Sequence, residues 1–344
     1  MKAVMLTGLR KMEIQEIAKP AIQKENEVLL KIEYVGVCGS DVHYYMTGRI
    51  GSAVVKYPYL IGHECAATVA EVGRKVSRVK VGDTVSVNPA VSCHVCEQCR
   101  MGRENTCYHV QFLGTPGQGP GCLREYIVMP EECLFPITGK LTLEQGVMCE
   151  PLSVGVYAVK RSRLGKGDSI AVLGAGPIGL CCLEVAKAQG AGECFVTEKI
   201  AERIRIAQER ADRVGNPDEQ DIVQGILQQK PLGVDLVFEC AGQQETVDHG
   251  LSLLRPGGTL VLVGIHRQDP IAFSMEKMRR KELTVINIRR QNNCDQEAVD
   301  LVAEERVGVD YMVTHKFSME QAQEAFELVA GYRDGVIKAL IRMG

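Results

Sequence analysis

From Asp168 onward the chain alternates apolar runs with helix-like stretches: SIAVLGAGPIG leads into LCCLEVAKAQG, then ECFVTE, then AERIRIAQERADR. Parallel strands need a crossover of a dozen or more residues, usually a helix, so this order predicts a parallel sheet with helices as its connections. Three more apolar runs, VDLVFECAG, TLVLVGI and LTVINI, have the near-continuous hydrophobicity of buried central strands. Pro256-Gly257-Gly258 supplies the turn that introduces the second of them. The sheet domain is expected to end near Asn287.

The first turn of this pattern is Gly174-Ala175-Gly176-Pro177-Ile178-Gly179. Alone, such a spacing is a common tight turn; between an apolar strand and a helix it has the context that a dinucleotide demands. Gly174 permits the turn, Gly176 lets the backbone approach a pyrophosphate, and Gly179 lets helix and strand pack closely, while Pro177 and Ile178 open a helix whose N-terminus favours an anion. The second strand ends in Glu198, where a carboxylate can accept both ribose hydroxyls; a solvated charge at a strand end is the plainer reading. Lys199 follows directly and Arg203 lies one helical turn on, two cations able to tolerate a 2′-phosphate if Glu198 turned outward. NAD is nevertheless expected, because a carboxylate beside a dianionic phosphate costs more than exposed cations recover. This half of the chain therefore reads as α/β, a Rossmann-type doubly wound parallel sheet.

The first half reads differently. EVLLKIEYVGV, ATVAEVG and TVSVNP are short β-like runs broken by glycine and proline, the pattern of an irregular β-rich domain. At 344 residues the chain suits about two domains. The C-terminal remainder, including the amphipathic SMEQAQEAFELVAGY, is too short to fold alone and is expected to return to the first domain. Within that domain Cys93, Cys96, Cys99 and Cys107 stand at C-x2-C-x2-C-x7-C. Thiolates spaced two residues apart can bend round one ion and a fourth closes a tetrahedral shell, so the loop predicts a structural zinc; four unrelated buried or disulfide cysteines are the alternative. The start, MKAVMLTGLRK, is charged again at Arg10, and the uncharged run near Ser169 to Leu183 is too short to span a bilayer. Fourteen cysteines in such a chain favour reduced thiols and a cytoplasmic location. Lys plus Arg number 40 against 43 Asp plus Glu, with no long basic run, which gives no footprint for nucleic acid or an anionic membrane and leaves a small-molecule partner.

A second set of metal-type side chains, Cys38, His63, Glu64 and Glu150, is scattered and matches no compact finger. A mixed Cys/His/Glu set is of the kind that catalytic zinc sites use, where one coordination position stays open. Taken singly, Cys38 reads as a core thiol, and His63 or Glu64 as a hydrogen-bonded or solvated group.

The segments GVCGSDVHYYMTGRIG, KYPYLIGHE, the four-cysteine loop, CEPLSVG and VLGAGPIGL occur in the order seen in the zinc-dependent medium-chain dehydrogenase/reductase family, and the chain most resembles its polyol (sorbitol-type) branch. That resemblance implies a GroES-like catalytic domain over residues 1–152 with a zinc lobe at about 90–110, a dinucleotide domain over 153–287, and a return over 288–344. It implies that Cys38, His63 and Glu64 ligate a catalytic zinc and that Glu150 contacts the metal or its water. Ser40 matches the hydroxyl that exchanges the substrate proton, Asp41 a carboxylate behind the ligands, and His43 a distal relay member. Val263 and Ile265 match cofactor contacts. Tyr44 and Arg289 match positions near the substrate, and Arg49 one at a subunit contact. Ala67 stands where the family signature has glycine, a small change in backbone freedom that the fold should absorb. Arg290 stands where the polyol type often has tyrosine, which leaves cyclitol substrates open beside linear polyols.

The function expected is oxidation of a polyol hydroxyl (sorbitol-, xylitol- or iditol-like) to a ketose with NAD, using two zinc ions per chain in a homo-oligomer, tetrameric or else dimeric. Zinc as a Lewis acid lowers the pKa of the hydroxyl, and the carbinol hydride leaves for the nicotinamide. A threonine-type amino-alcohol dehydrogenase is the alternative within enzymes, with YYMTGRIG arguing for polyols. A zinc-free reductase or a crystallin-like structural protein is disfavoured by the intact set Cys38, His63, Glu64 and Glu150.

Overall fold

The computed structural model describes residues 1–266, 268 and 270–344, which form two compact units, Met1–Glu150 with Asp295–Gly344, and Pro151–Cys294. The elements that matter below are, in chain order, β1 (Glu27–Gly36), α1 (Gly39–Thr47), β2 (Glu64–Val72), β3 (Thr84–Val87), β4 (Tyr126–Pro130), β5 (Leu134–Pro136) and α2 (Leu143–Ser162). There follow β6 (Ile170–Leu173), α3 (Pro177–Ala188), β7 (Cys194–Thr197), α4 (Ala201–Gln208), β8 (Arg213–Gly215), β9 (Val234–Glu239), α5 (Gln244–Leu253), β10 (Leu254–Leu262) and β11 (Thr284–Asn287). The chain closes with β12 (Val313–Ser318), α6 (Ala322–Ala330) and β13 (Lys338–Arg342).

In the first unit the strands named above form one sheet in the order β5-β3-β2-β1-β13-β12, with β4 also paired to β1. The EVLLKIEYVGV run becomes β1, its Val28, Leu30, Ile32 and Val35 buried in a core shared with Tyr45, Ile127 and Phe326. Burying each such side chain contributes about 1.5–3 kcal/mol. Residues Asp295–Gly344 pack in this unit. Ser318 and Gln321 form a capping box ahead of α6, which buries Ala322, Ala325 and Phe326, and β13 pairs antiparallel with β1. Glu64 and Leu340 both oppose Gly36 across the sheet, so this register brings the C-terminal strand up to the residues that follow His63.

In the second unit the described strands form a parallel sheet in the order β8-β7-β6-β9-β10-β11, doubly wound about the junction of β6 and β9. Ile170, Ala171, Val172 and Leu173 of the central β6 are fully buried, as are Val237 and Phe238 of β9. One expectation needs correction. LTVINI is not a buried central strand: β11 ends the sheet, with Thr284 and Asn287 exposed and Val285 and Ile286 half-buried, because its outer side has no strand beside it within the unit. AERIRIAQERADR also ends its helix earlier than its composition suggests, at Gln208, and Arg213 already belongs to β8. Among the described residues no helix is long and apolar enough to cross a membrane.

Candidate metal and dinucleotide sites

The four cysteines of the first unit converge. Their sulfurs lie 3.5 Å (Cys107–Cys93), 3.6 Å (Cys96–Cys99), 3.8 Å (Cys96–Cys107) and 4.0 Å (Cys93–Cys99) apart. A tetrahedron with Zn–S bonds of about 2.3 Å has edges of about 3.8 Å, whereas a disulfide needs about 2.05 Å, so the spacing fits an ion and not a bridge. Backbone N–H groups reinforce the thiolate form, those of Cys93 and His109 donating to Cys107 Sγ and that of Cys96 to Cys93 Sγ. Backbone hydrogen bonds, that of Cys99 first, draw Cys96 down to about 6, while burial pushes Cys99 up to about 12.

Cys38, His63 and Glu64 also meet, each offering a ligand atom within 4.8 Å of the others. Cys38 sits just before α1, and His63 and Glu64 at the entry to β2. Asp41, buried in the first turn of α1, accepts a hydrogen bond from the Gly62 N–H at 3.1 Å and places Oδ2 3.2 Å from His63 Nδ1, which leaves Nε2 for a metal. Burial alone would lower the imidazole's pKa, but the Asp41 carboxylate and the Cys38 sulfur hold it well above its usual value. Surroundings that favour a proton on that ring also suit a cation beside it. Gly36 is needed for space: a Cβ on it would fall 2.3 Å from Glu64 Oε2. Ser40 donates to Cys38 Sγ at 3.4 Å. His43 is half-buried and Tyr44 buried on α1, and Phe112 lies against His63 with ring centroids 5.4 Å apart.

Glu150 stands outside that compact trio, yet it is buried and close enough to feel it. Burial raises its carboxyl to about 7, with His63 opposing and Glu64 adding to the rise. It lies in α2 immediately before Pro151, a residue that cannot complete the helical hydrogen bond to the preceding turn. The sequence reading misses one member altogether. Lys338 of β13, only 2% exposed, donates to both carboxylate oxygens of Glu64 at 2.7 and 2.6 Å. Nothing in the local sequence KAL marks it; the signal is the pairing of β13 with β1.

In the second unit Gly174 (φ +102°) makes the turn after β6, and a Cβ on Gly179 would fall 1.9 Å from Gly174 O. Gly176 is the N-cap of α3 with Pro177 at the first helical position, and no side chain caps the helix, so its N–H groups suit a pyrophosphate. Glu198 binds the glycine loop directly, Oε2 accepting from Ala175 N–H at 2.9 Å and Oε1 from Lys199 and Ile200 N–H at 2.8 and 3.0 Å. The two cations part company. Lys199 is drawn to Asp218 at 2.7 Å and Glu245 at 3.2 Å, whereas Arg203 is buried with Nη1 3.5 Å from where a Gly176 Cβ would stand. Val263 is half-buried and Ile265 exposed just beyond β10, and Arg289 is exposed and Arg290 half-buried just beyond β11. Arg49, at the far end of α1 in the first unit, is exposed and donates to Gly51 O.

The chain is similar to known proteins along most of its length. Residues 24–139 match the alcohol dehydrogenase GroES-like domain and residues 177–304 the zinc-binding dehydrogenase domain. A sorbitol dehydrogenase of Bacillus subtilis (strain 168) is 37% identical over 343 residues, covering 99% of this chain and 97% of its own. A D-xylulose reductase A of Aspergillus oryzae is 35% identical over 334 residues, covering 95% and 93%. The crystal structure of a zinc-binding dehydrogenase from Sinorhizobium meliloti 1021 bound to NADP superimposes with a TM-score of 0.91 at 29% identity, covering 99% of this chain and 98% of that one.

Proposed function

The chain belongs to the zinc-dependent medium-chain dehydrogenases of the polyol type, and from that premise we propose that it oxidises a secondary hydroxyl of a linear polyol, sorbitol-, xylitol- or iditol-like, to the ketose with NAD. The observation that carries this reading is the meeting of Cys38, His63 and Glu64 within 4.8 Å beside the Ser40 hydroxyl. A zinc ion held by these three would supply Lewis acidity to the substrate hydroxyl, and a bound nicotinamide would accept the hydride from the carbinol carbon. Asp41 keeps His63 oriented. Glu150, buried beside them, would contact a bound ion or its water. Ser40, which can both donate and accept, takes the hydroxyl proton and passes it outward, with His43 one turn along α1 as the distal member. The four thiols hold a second zinc that organises their lobe.

NAD rather than NADP is supported by Glu198, which any 2′-phosphate would have to approach, and by the commitment of Lys199 to Asp218 and Glu245. Tyr44 and Arg289 are the proposed substrate contacts, a hydroxyl and a guanidinium suited to a row of hydroxyls. The open edge of β11 supports assembly into a homo-oligomer, and fourteen free cysteines support a reducing, cytoplasmic setting. Metal analysis and rate measurement on one preparation test the proposal: two zinc ions per chain, and polyol-dependent NAD reduction that chelation removes and zinc restores. Full turnover after all zinc has been removed would sink it.

A further inference from the structure

The carboxyl end of β9 carries a carboxylate to which the dinucleotide reading gives no task. Glu239 is fully buried, and its Oε1 accepts from Ala241 N–H at 2.9 Å, Gly242 N–H at 2.7 Å and the Thr246 hydroxyl at 2.7 Å. Its Oε2 has no hydrogen-bond partner among the described residues. It faces His266 Nε2 at 3.4 Å, a nitrogen that is likewise buried and unpartnered. At 3.4 Å the two atoms are within ion-pair range without hydrogen-bond alignment, and no other described polar group partners that oxygen.

The backbone joins the same two segments. Glu239 O accepts from the N–H groups of Val263 and Gly264, both at 2.9 Å. A Cβ on Gly264 would fall 2.6 Å from Gly242 N and 3.0 Å from Glu239 Oε2, and one on Gly242 (φ +68°) 2.3 Å from Ile265 O. The exit from β9 and the exit from β10 therefore form one interlocked piece, with Glu239 at its hub and His266 at its outer end. In a doubly wound sheet the dinucleotide crosses the carboxyl ends of the strands, one mononucleotide on each side of the point where strand order reverses. Here β6 and β7, with the glycine loop and Glu198, form the adenosine side. The ends of β9 and β10 are left for the nicotinamide half.

We propose that His266, held by Glu239, is a positioning residue for the nicotinamide half of the cofactor: their contact fixes the Val263–Ile265 backbone against which that half lies. The inference rests on the dinucleotide reading above. Its test is calorimetric binding of NAD and of AMP, without polyol, to the zinc-loaded protein and to His266→Ala, His266→Gln and Glu239→Gln. Glu239→Gln keeps a carbonyl oxygen for the donors at Oε1 but puts an amide that cannot accept in place of Oε2. The wild type should bind both ligands. His266→Ala and Glu239→Gln should weaken NAD about tenfold, the loss of that contact, while leaving AMP affinity unchanged. His266→Gln, which retains an N–H donor, should recover most of the affinity. Unchanged NAD affinity in both weakened variants, or equal weakening of NAD and AMP, overturns the proposal. A wild type that binds AMP but not NAD overturns the cofactor reading itself and the inference with it.

Discussion

Glu64 and Lys338 face each other at 1% and 2% exposure, and the two oxygens of a carboxylate carry lone pairs enough to serve an ammonium and a metal ion together. Breaking a buried ion pair from one side costs about 3–5 kcal/mol, because the other charge stays behind. Lys338→Met should therefore destabilise the zinc-stripped protein by about that much, and added zinc should recover part of the loss by supplying the missing positive charge. Denaturant melts with and without zinc measure this, and an equal loss in both conditions would contradict it. At the adenosine side, Glu198→Ala should narrow or reverse the preference for NAD over NADP, since it removes the carboxylate and leaves Arg203 beside the glycine loop. Comparing kcat/KM for the two cofactors in wild type and variant decides the matter; an NADP-preferring wild type or an unchanged preference would show that Glu198 is not the discriminating group. These residues also mark what a sequence can disclose. Cys93 to Cys107 are legible because their chemistry lies in one loop, whereas Lys338 is 274 residues from its partner and emerges only from strand register. Lys199 and Arg203 look alike as neighbouring cations, and only the acids brought up by the fold tell them apart.

The four-cysteine lobe and the open metal set belong to different elements and should fail differently. Cys99→Ser should lower the melting temperature by about 6–12 °C, what a loss of about 3 kcal/mol gives in a domain of this size, and leave residual turnover. His63→Ala should abolish turnover in a protein that still melts cooperatively. Parallel melting curves and rates separate the two, and fewer than two zinc ions in a fully active chain would contradict the division. The edge strand β11 makes a third case. Ile286→Lys should lower the mass measured by sedimentation, because a charge on an exposed strand edge opposes pairing with another copy; an unchanged mass would place the subunit contact elsewhere. Strand runs such as EVLLKIEYVGV and IAVL were legible from composition and flanking glycines. LTVINI was not, because an apolar run reads alike in the middle and at the edge of a parallel sheet, and sheet order is a property of packing.

The parallel sheet followed from the alternation of strands and helices, and the return of the C-terminal segment from its being too short to stand alone. The first unit was less legible, since its strands pair across long separations and its metal set collects residues from the turn before α1 and the entry to β2. The first unit carries the set Cys38, His63 and Glu64, and the second an uncapped helix N-terminus with Glu198. A site built to hydrogen-bond several hydroxyls penalises analogues that leave its groups unpaired. The decisive measurement is kcat/KM for NAD reduction across linear polyols, cyclitols, threonine and ethanol with one zinc-replete preparation. The account predicts that linear polyols lead and that ethanol and threonine trail; ethanol or threonine surpassing every polyol would contradict it.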